Sequence, residues 1–174
     1  VLVREMIARH PELESAARDT FFIGNNFQPL ETMLLEMDIA GIDRAVVIPI
    51  DARTSRHATV YTNEQIVELC AMSPRLIGFA SVDPHRPTAV EELRHAVERL
   101  GLRGLKLSPA MQQYFPDDPK VFPIYQAAQE LNIPILFHAG MSWEPGSKLK
   151  FGHPLHLEDA AAAFPKLNIV LAHL

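Results

Sequence analysis

At 174 residues, 48% of them apolar and 21% charged, the chain is long enough for one domain with a substantial buried core, read here as a single unit over residues 1–174. A net charge of −5 without a basic cluster argues against nucleic-acid binding, and no apolar stretch approaches the ~20 residues of a membrane span. The single cysteine, Cys70, rules out an internal disulfide and reads as a buried, inert thiol in a helical pattern, so a reducing, cytoplasmic setting is expected.

The first twenty residues read as a helix, with Leu2, Met6 and Ile7 on one face, broken by Pro11 and followed by a charged loop. Phe21–Phe27 reads as a turn-containing loop. A helix is predicted over Pro29–Ala40, with Leu30, Met33, Leu34 and Met37 at the spacing of one buried face and Gly41 as its stop. An apolar run from Ala45 to Ile50 follows and ends in Asp51. The next helix, Asn63–Met72, starts at an asparagine cap and is followed by the run Ile77–Val82, ending in Asp83. A third helix, from Pro87 to Gly101 with Val90, Leu93, Val97 and Leu100 on one face, precedes the run Gly104–Ser108, which carries Lys106. A fourth, Val121–Leu131, leads to Ile135-Leu-Phe before His138, and a fifth, Leu155–Phe164, to Ile169-Val-Leu-Ala before His173.

Each apolar run is continuous rather than alternating and ends in a polar residue, and a helical pattern follows each of the first four. That is the repeat of a parallel α/β fold, in which sites gather at the carboxyl ends of strands. Both an open doubly wound sheet and part of an eight-stranded barrel fit. Chemically able side chains at every strand end favour the barrel, and no glycine-rich phosphate-binding motif follows a strand.

His138 and His173 occupy the same place in successive units. Adjacent parallel strands lie ~4.8 Å apart, so the two imidazoles can converge on one divalent ion or one substrate atom, or each can be a core residue bonded to backbone. Lys106 either points into the site, to bind a substrate carboxylate or, if carboxylated, to bridge metals, or it snorkels or pairs with a carboxylate such as Asp83. Asp83-Pro84 reads as a turn. Trp143 and Glu144 either contact substrate or, for the tryptophan, plug the packing. His85, His153 and His156 read as structural or surface residues, and His10, His57 and His95 carry no expected role.

The segments Leu35-Glu-Met-Asp-Ile-Ala-Gly-Ile-Asp-Arg-Ala-Val-Val, Gly101-Leu-Arg-Gly-Leu-Lys-Leu-Ser-Pro, Ile133-Pro-Ile-Leu-Phe-His-Ala-Gly and Phe164-Pro-Lys-Leu-Asn-Ile-Val-Leu-Ala-His, in that order, carry a resemblance. From Leu34 onward the chain resembles the amidohydrolase-related family of metal-dependent TIM-barrel enzymes, a branch with hydrolases, lactonases, hydratases and non-oxidative decarboxylases. The resemblance covers roughly residues 30–174 and implies barrel strands two to six. It implies His138 as the strand-five metal ligand, and His173 as second ligand or catalytic acid/base on strand six. Lys106 falls in a strand-four motif whose role varies, and Lys106 and Trp143 are the expected substrate contacts.

A divalent ion is implied, Zn²⁺ first and Mn²⁺ second, with a small-molecule substrate, no nucleic-acid or membrane partner, and a homo-oligomeric assembly. The family's usual His-x-His pair is absent from the sequence, as is its strand-eight aspartate, so the chain, which starts at Val1 and stops at Leu174, is expected to be a piece of a longer one. Hydrolysis by metal-activated water is the first expectation and decarboxylation of an aromatic or unsaturated acid the second. A third, of another class, is a non-catalytic fragment that self-associates through strand edges.

Overall fold

The computed structural model describes residues 2–21 and 27–173. Strands β1 (Leu2–Val3) and β2 (Phe27–Gln28) pair in parallel, and between them come helices α1 (Arg4–Arg9) and α2 (Glu12–Ser15) and a π-helical turn over Ala16–Thr20. The predicted charged loop is therefore helical: Pro11 ends α1 and then serves as the N-cap of α2. The loop expected at Phe21–Phe27 lies largely outside the described residues, and Phe27 opens β2.

The remaining elements alternate. Helix α3 (Leu30–Ile39) precedes β3 (Ala45–Val47), and Gly41, at φ +67°, takes the left-handed turn after the helix. The apolar run then breaks at Pro49, and β4 (Ile50–Ala52), helix α4 (Arg53–Arg56) and β5 (Ala58–Val60) follow. Strands β4 and β5 pair antiparallel, which corrects the single strand expected up to Asp51. Helix α5 (Asn63–Ala71) is capped by Thr62 rather than Asn63, in a reciprocal capping box with Gln65. The Asn63 side chain instead bonds both the N–H and the C=O of Ser81.

Strands β6 (Leu76–Gly78) and β7 (Ala80–Ser81), helix α6 (Ala89–Glu98) and β8 (Leu105–Leu107) come next. The short helix α7 (Pro109–Gln112), helix α8 (Phe122–Glu130), β9 (Ile135–His138), the short helix α9 (Leu149–Gly152), helix α10 (His156–Ala163) and β10 (Ile169–Ala172) complete the chain. The sequence pattern missed α7 and α9, each a single turn.

Strands β7, β8, β9 and β10 form one parallel sheet in chain order, and β3 pairs in parallel with β6. Backbone bonds across Phe79 join the two pieces: its N–H donates to Val47 O at 3.0 Å, while the next N–H, of Ala80, donates to Gly104 O at 2.7 Å. The result is a curved parallel arc in the order of the chain, with helices on its outer side. This is part of a TIM barrel, as the strand-end pattern predicted.

The register fixes two faces. Leu105, Leu107, Ile135 and Phe137 are fully buried beneath the helices, with Tyr125 of α8 edge-on to Phe137 at 5.7 Å. On the opposite, inner face Ser81, Lys106, Leu136 and Val170 stand side by side across four strands, and His138 lies in the next row opposite Ala172. The inner face is open towards both ends of the arc, where Val46 and Val170 are each 47% exposed. Among the described residues no helix is long and apolar enough to cross a membrane.

Candidate functional site

The carboxyl ends of the strands are tied together by one buried side chain. Gln112, on α7, donates through Nε2 to Asp51 O at 2.7 Å and Val82 O at 2.9 Å, and its Oε1 accepts from Ser108 N at 2.8 Å. The ends of β4, β7 and β8 thus share a single amide, which makes the rim rigid enough to hold a site. Ser81 adds a second tie: its Oγ accepts from Asp51 N at 3.1 Å and donates to Lys106 O at 3.0 Å.

His138 ends β9 on the inner face, half-buried, with its Nε2 3.2 Å from Met141 O. Burial lowers its pKa from the ordinary histidine value; the Met141 carbonyl opposes that shift, Lys106 and His173 add to it, and Glu144 opposes it. The neutral imidazole, the form that ligates a metal, is therefore favoured.

His173 departs from the expected register, because Ala172 rather than His173 stands opposite His138. Simple alternation would send the two rings to opposite faces. His173 instead leaves the strand in the left-handed region, at φ +65°, and its ring centroid comes to 5.0 Å from that of His138. A non-glycine residue held there carries a conformational cost of order 1–3 kcal/mol, of the kind that gathers at functional sites.

Gly140 makes this approach possible. It has φ +85°, and a Cβ added there would lie 2.7 Å from His173 O. Its N–H donates to Gly152 O at 2.7 Å, so the backbone has no room to retreat. Gly140→Ala is therefore expected to lower stability by at least about 2 kcal/mol, left-handed strain and backbone clash together, as a drop in the denaturant midpoint at unchanged slope. An unchanged midpoint would mean that the two histidine loops are not in contact.

Lys106 lies on the inner face of β8, only 4% exposed, and its Nζ donates to Leu107 O at 3.1 Å. No carboxylate pairs with it among the described residues. Asp83, the partner weighed from the sequence, is taken up by the N–H groups of Thr54, at 2.6 Å, and His85, at 3.0 Å. The second of these is the turn its Asp-Pro context suggested. Burial pushes the Lys106 ammonium down to about 8, with Glu144 opposing the shift. Few buried lysines lack an acidic partner, and those that do are candidates for contact with an anionic substrate.

Asp51 faces the other way. Its carboxylate is held by Arg53, Nε to Oδ1 at 2.8 Å, and Arg53 also reaches Glu92 at 2.7 Å. These residues, with Tyr61, Asn63 and Arg86, line a cleft of about 550 Å³ between the β4–β5 hairpin and the start of α6. None of His138, His173 and Lys106 lines that cleft. Asp51, Arg53, Arg86 and Glu92 of that cleft are already paired with one another, so the inner-face cluster is the better candidate for chemistry.

Trp143 is 64% exposed, which overturns the packing-plug alternative. His85 bonds Gln112 O through Nε2 at 2.7 Å, and His156 bonds Asp117 at 2.9 Å, both structural as expected. Two residues escaped the sequence reading. Gln112 sits in a helix too short to show periodicity, and Arg56 makes its bonds about ninety residues further along the chain.

The two converging imidazoles fit adjoining corners of a divalent-ion site, with the donor type that zinc or manganese accepts. Among the described residues no group of three or more His, Cys, Asp or Glu side chains could hold an ion.

Comparisons with known proteins fit this geometry. A curated 2-amino-3-carboxymuconate-6-semialdehyde decarboxylase of Dictyostelium discoideum is 29% identical over 86 residues, covering 48% of this chain and 23% of its own length. The crystal structure of 5-carboxyvanillate decarboxylase from Sphingomonas paucimobilis superposes with a TM-score of 0.65 at 22% identity, covering 87% of this chain and 53% of that one. The dihydroxybenzoic acid decarboxylase of Polaromonas, solved with bound manganese and the inhibitor 2-nitroresorcinol, gives 0.63 at 20% identity, covering 99% and 63%. The matched region thus spans 23% to 63% of the length of these relatives. The amidohydrolase family profile matches residues 4–174, nearly the whole chain. With the parallel arc and its strand-end histidines, that match places the chain in the amidohydrolase family.

Proposed function

We propose that this protein is a metal-dependent, non-oxidative decarboxylase of an aromatic or unsaturated carboxylic acid. One observation carries the reading: a buried lysine that pairs with no carboxylate among the described residues shares the inner face with two imidazoles whose rings stand 5.0 Å apart. A carboxylate seated on Lys106 presents the rest of its molecule to the histidines on the adjoining strands. The named relatives support decarboxylation over the hydrolysis expected first, since all three are decarboxylases.

A divalent ion, manganese or zinc, held by His138 with further donors, would supply Lewis acidity to polarise an oxygen of the substrate. The half-buried His138 is the better ligand, and the exposed His173 the better proton carrier. Lys106 orients the carboxylate. As the bond to the carboxyl carbon breaks, carbon dioxide leaves, the electron pair stays on the substrate carbon, and His173 delivers a proton to that carbon. Trp143, exposed in the loop after β9, offers an indole face to an aromatic ring.

The test is carbon dioxide release from a panel of hydroxybenzoates and unsaturated dicarboxylates with Mn²⁺ or Zn²⁺ present. Release dependent on metal and on one substrate class is the expected result. Turnover of lactones or amides, with no carbon dioxide from any acid, would return the reading to hydrolysis.

A further inference from the structure

Lys106 is nearly inaccessible, although the inner face is open towards both ends of the arc, and the segment after β9 is fastened at three points near it. Residues 141–148 leave His138, whose Nε2 lies 3.2 Å from Met141 O, and return at Lys148, whose N–H donates to Ala110 O of α7 at 3.3 Å. Between these points the segment is gripped from the far side of the arc. Arg56, the last residue of α4, donates through one terminal nitrogen to Pro145 O and through the other to Ser147 Oγ at 3.1 Å.

The fork straddles Gly146, at φ +79°, where a Cβ would lie 3.0 Å from the guanidinium. Helix α4 follows β4, which is tied to β7 by the bond from Asp51 N to Ser81 Oγ, whereas the segment follows β9, and β8, bearing Lys106, lies between β7 and β9. The bond from Arg56 therefore carries the segment across the strand ends that present Ser81 and Lys106.

We propose that Arg56 is a positioning residue that fastens residues 141–148 as a strap over Lys106 and so controls access to that amine. Glu144, on the strap, is an acidic group felt by Lys106, as expected if it lies near that amine. The Nε of Arg56 is buried without an acceptor among the described residues. The consequence for substrate rests on the decarboxylase reading, whereas the covering of Lys106 does not.

The experiment is trace acetylation of the full chain at pH 8, read by peptide mass spectrometry at Lys106, with the exposed Lys120 and Lys166 as references. Arg56→Ala is expected to raise the Lys106 labelling rate about tenfold, the shift in open population expected from losing two charge-assisted hydrogen bonds, with the references unchanged. Arg56→Lys, which reaches one acceptor only, should fall between the two. An unchanged Lys106 rate in Arg56→Ala overturns the proposal, and so does a parallel rise at all three lysines, which would report general loosening. If carboxylate turnover is present, KM should rise in Arg56→Ala more than kcat falls. Absence of turnover in every variant, wild type included, would count against the decarboxylase reading and leave the labelling result standing.

Discussion

Replacing His138 by alanine is expected to lower carbon dioxide release by about three orders of magnitude or more, equivalent to at least about 4 kcal/mol of transition-state stabilisation, and to remove the bound metal with it. The imidazole ends β9, faces the inner side of the arc and is half-buried, and its burial favours the neutral form. Truncation removes one weakly held side chain, whose one side-chain hydrogen bond among the described residues is to Met141 O at 3.2 Å, and opens no fully buried cavity. The fold should therefore survive, at a cost of about 1 kcal/mol. Circular dichroism and the denaturant midpoint check that expectation, and metal content per chain after equilibration with Mn²⁺ tests the assignment. A folded variant that keeps its full metal complement would remove His138 from the ligand set.

Which parts of this arrangement were legible beforehand follows from the range over which each is encoded. The strands at Ile135–His138 and Ile169–Ala172 were readable from continuous apolar runs, and Leu105–Leu107 from an apolar run interrupted only by Lys106. The run into Asp51 misled because Pro49 ends the parallel pairing and the chain turns into a hairpin, where Asp51 becomes the partner of Arg53. Helices α7 and α9 are single turns with no periodicity to detect. The two histidines were found from their strands, but their register was not: the offset of His173 depends on a left-handed turn that only the packing against Gly140 specifies. Lys106 was visible as a charge in an apolar strand, yet its isolation from Asp83 depends on Thr54 and His85 having claimed that carboxylate. Arg56 and Gln112 act across the rim, and nothing local marks them.

Lys106→Met should make the protein more stable and at the same time inactive. Burial drives the folded-state pKa of Lys106 from the ordinary 10.5 down to about 8, so folding disfavours the charged amine. Below about pH 8 the lysine is protonated in both the folded and unfolded states, and the full penalty applies; a shift of this size corresponds to about 3 kcal/mol. As pH rises from about 8 to 10.5 the folded state loses its proton first, the unfolded chain binds more protons, and stability climbs towards the uncharged limit. Methionine fills nearly the same space without a charge, at the loss of one hydrogen bond to Leu107 O. The variant should thus exceed wild type by about 2 kcal/mol at pH 7, and the gap should close by pH 10.5. Denaturation at the two pH values measures this directly; a variant that is less stable at pH 7 would show that Lys106 is held by a partner that compensates its charge. Activity should move the opposite way, because the methionine cannot hold a carboxylate. Loss of turnover in a more stable protein is the pattern of a residue kept for its chemistry at the expense of the fold.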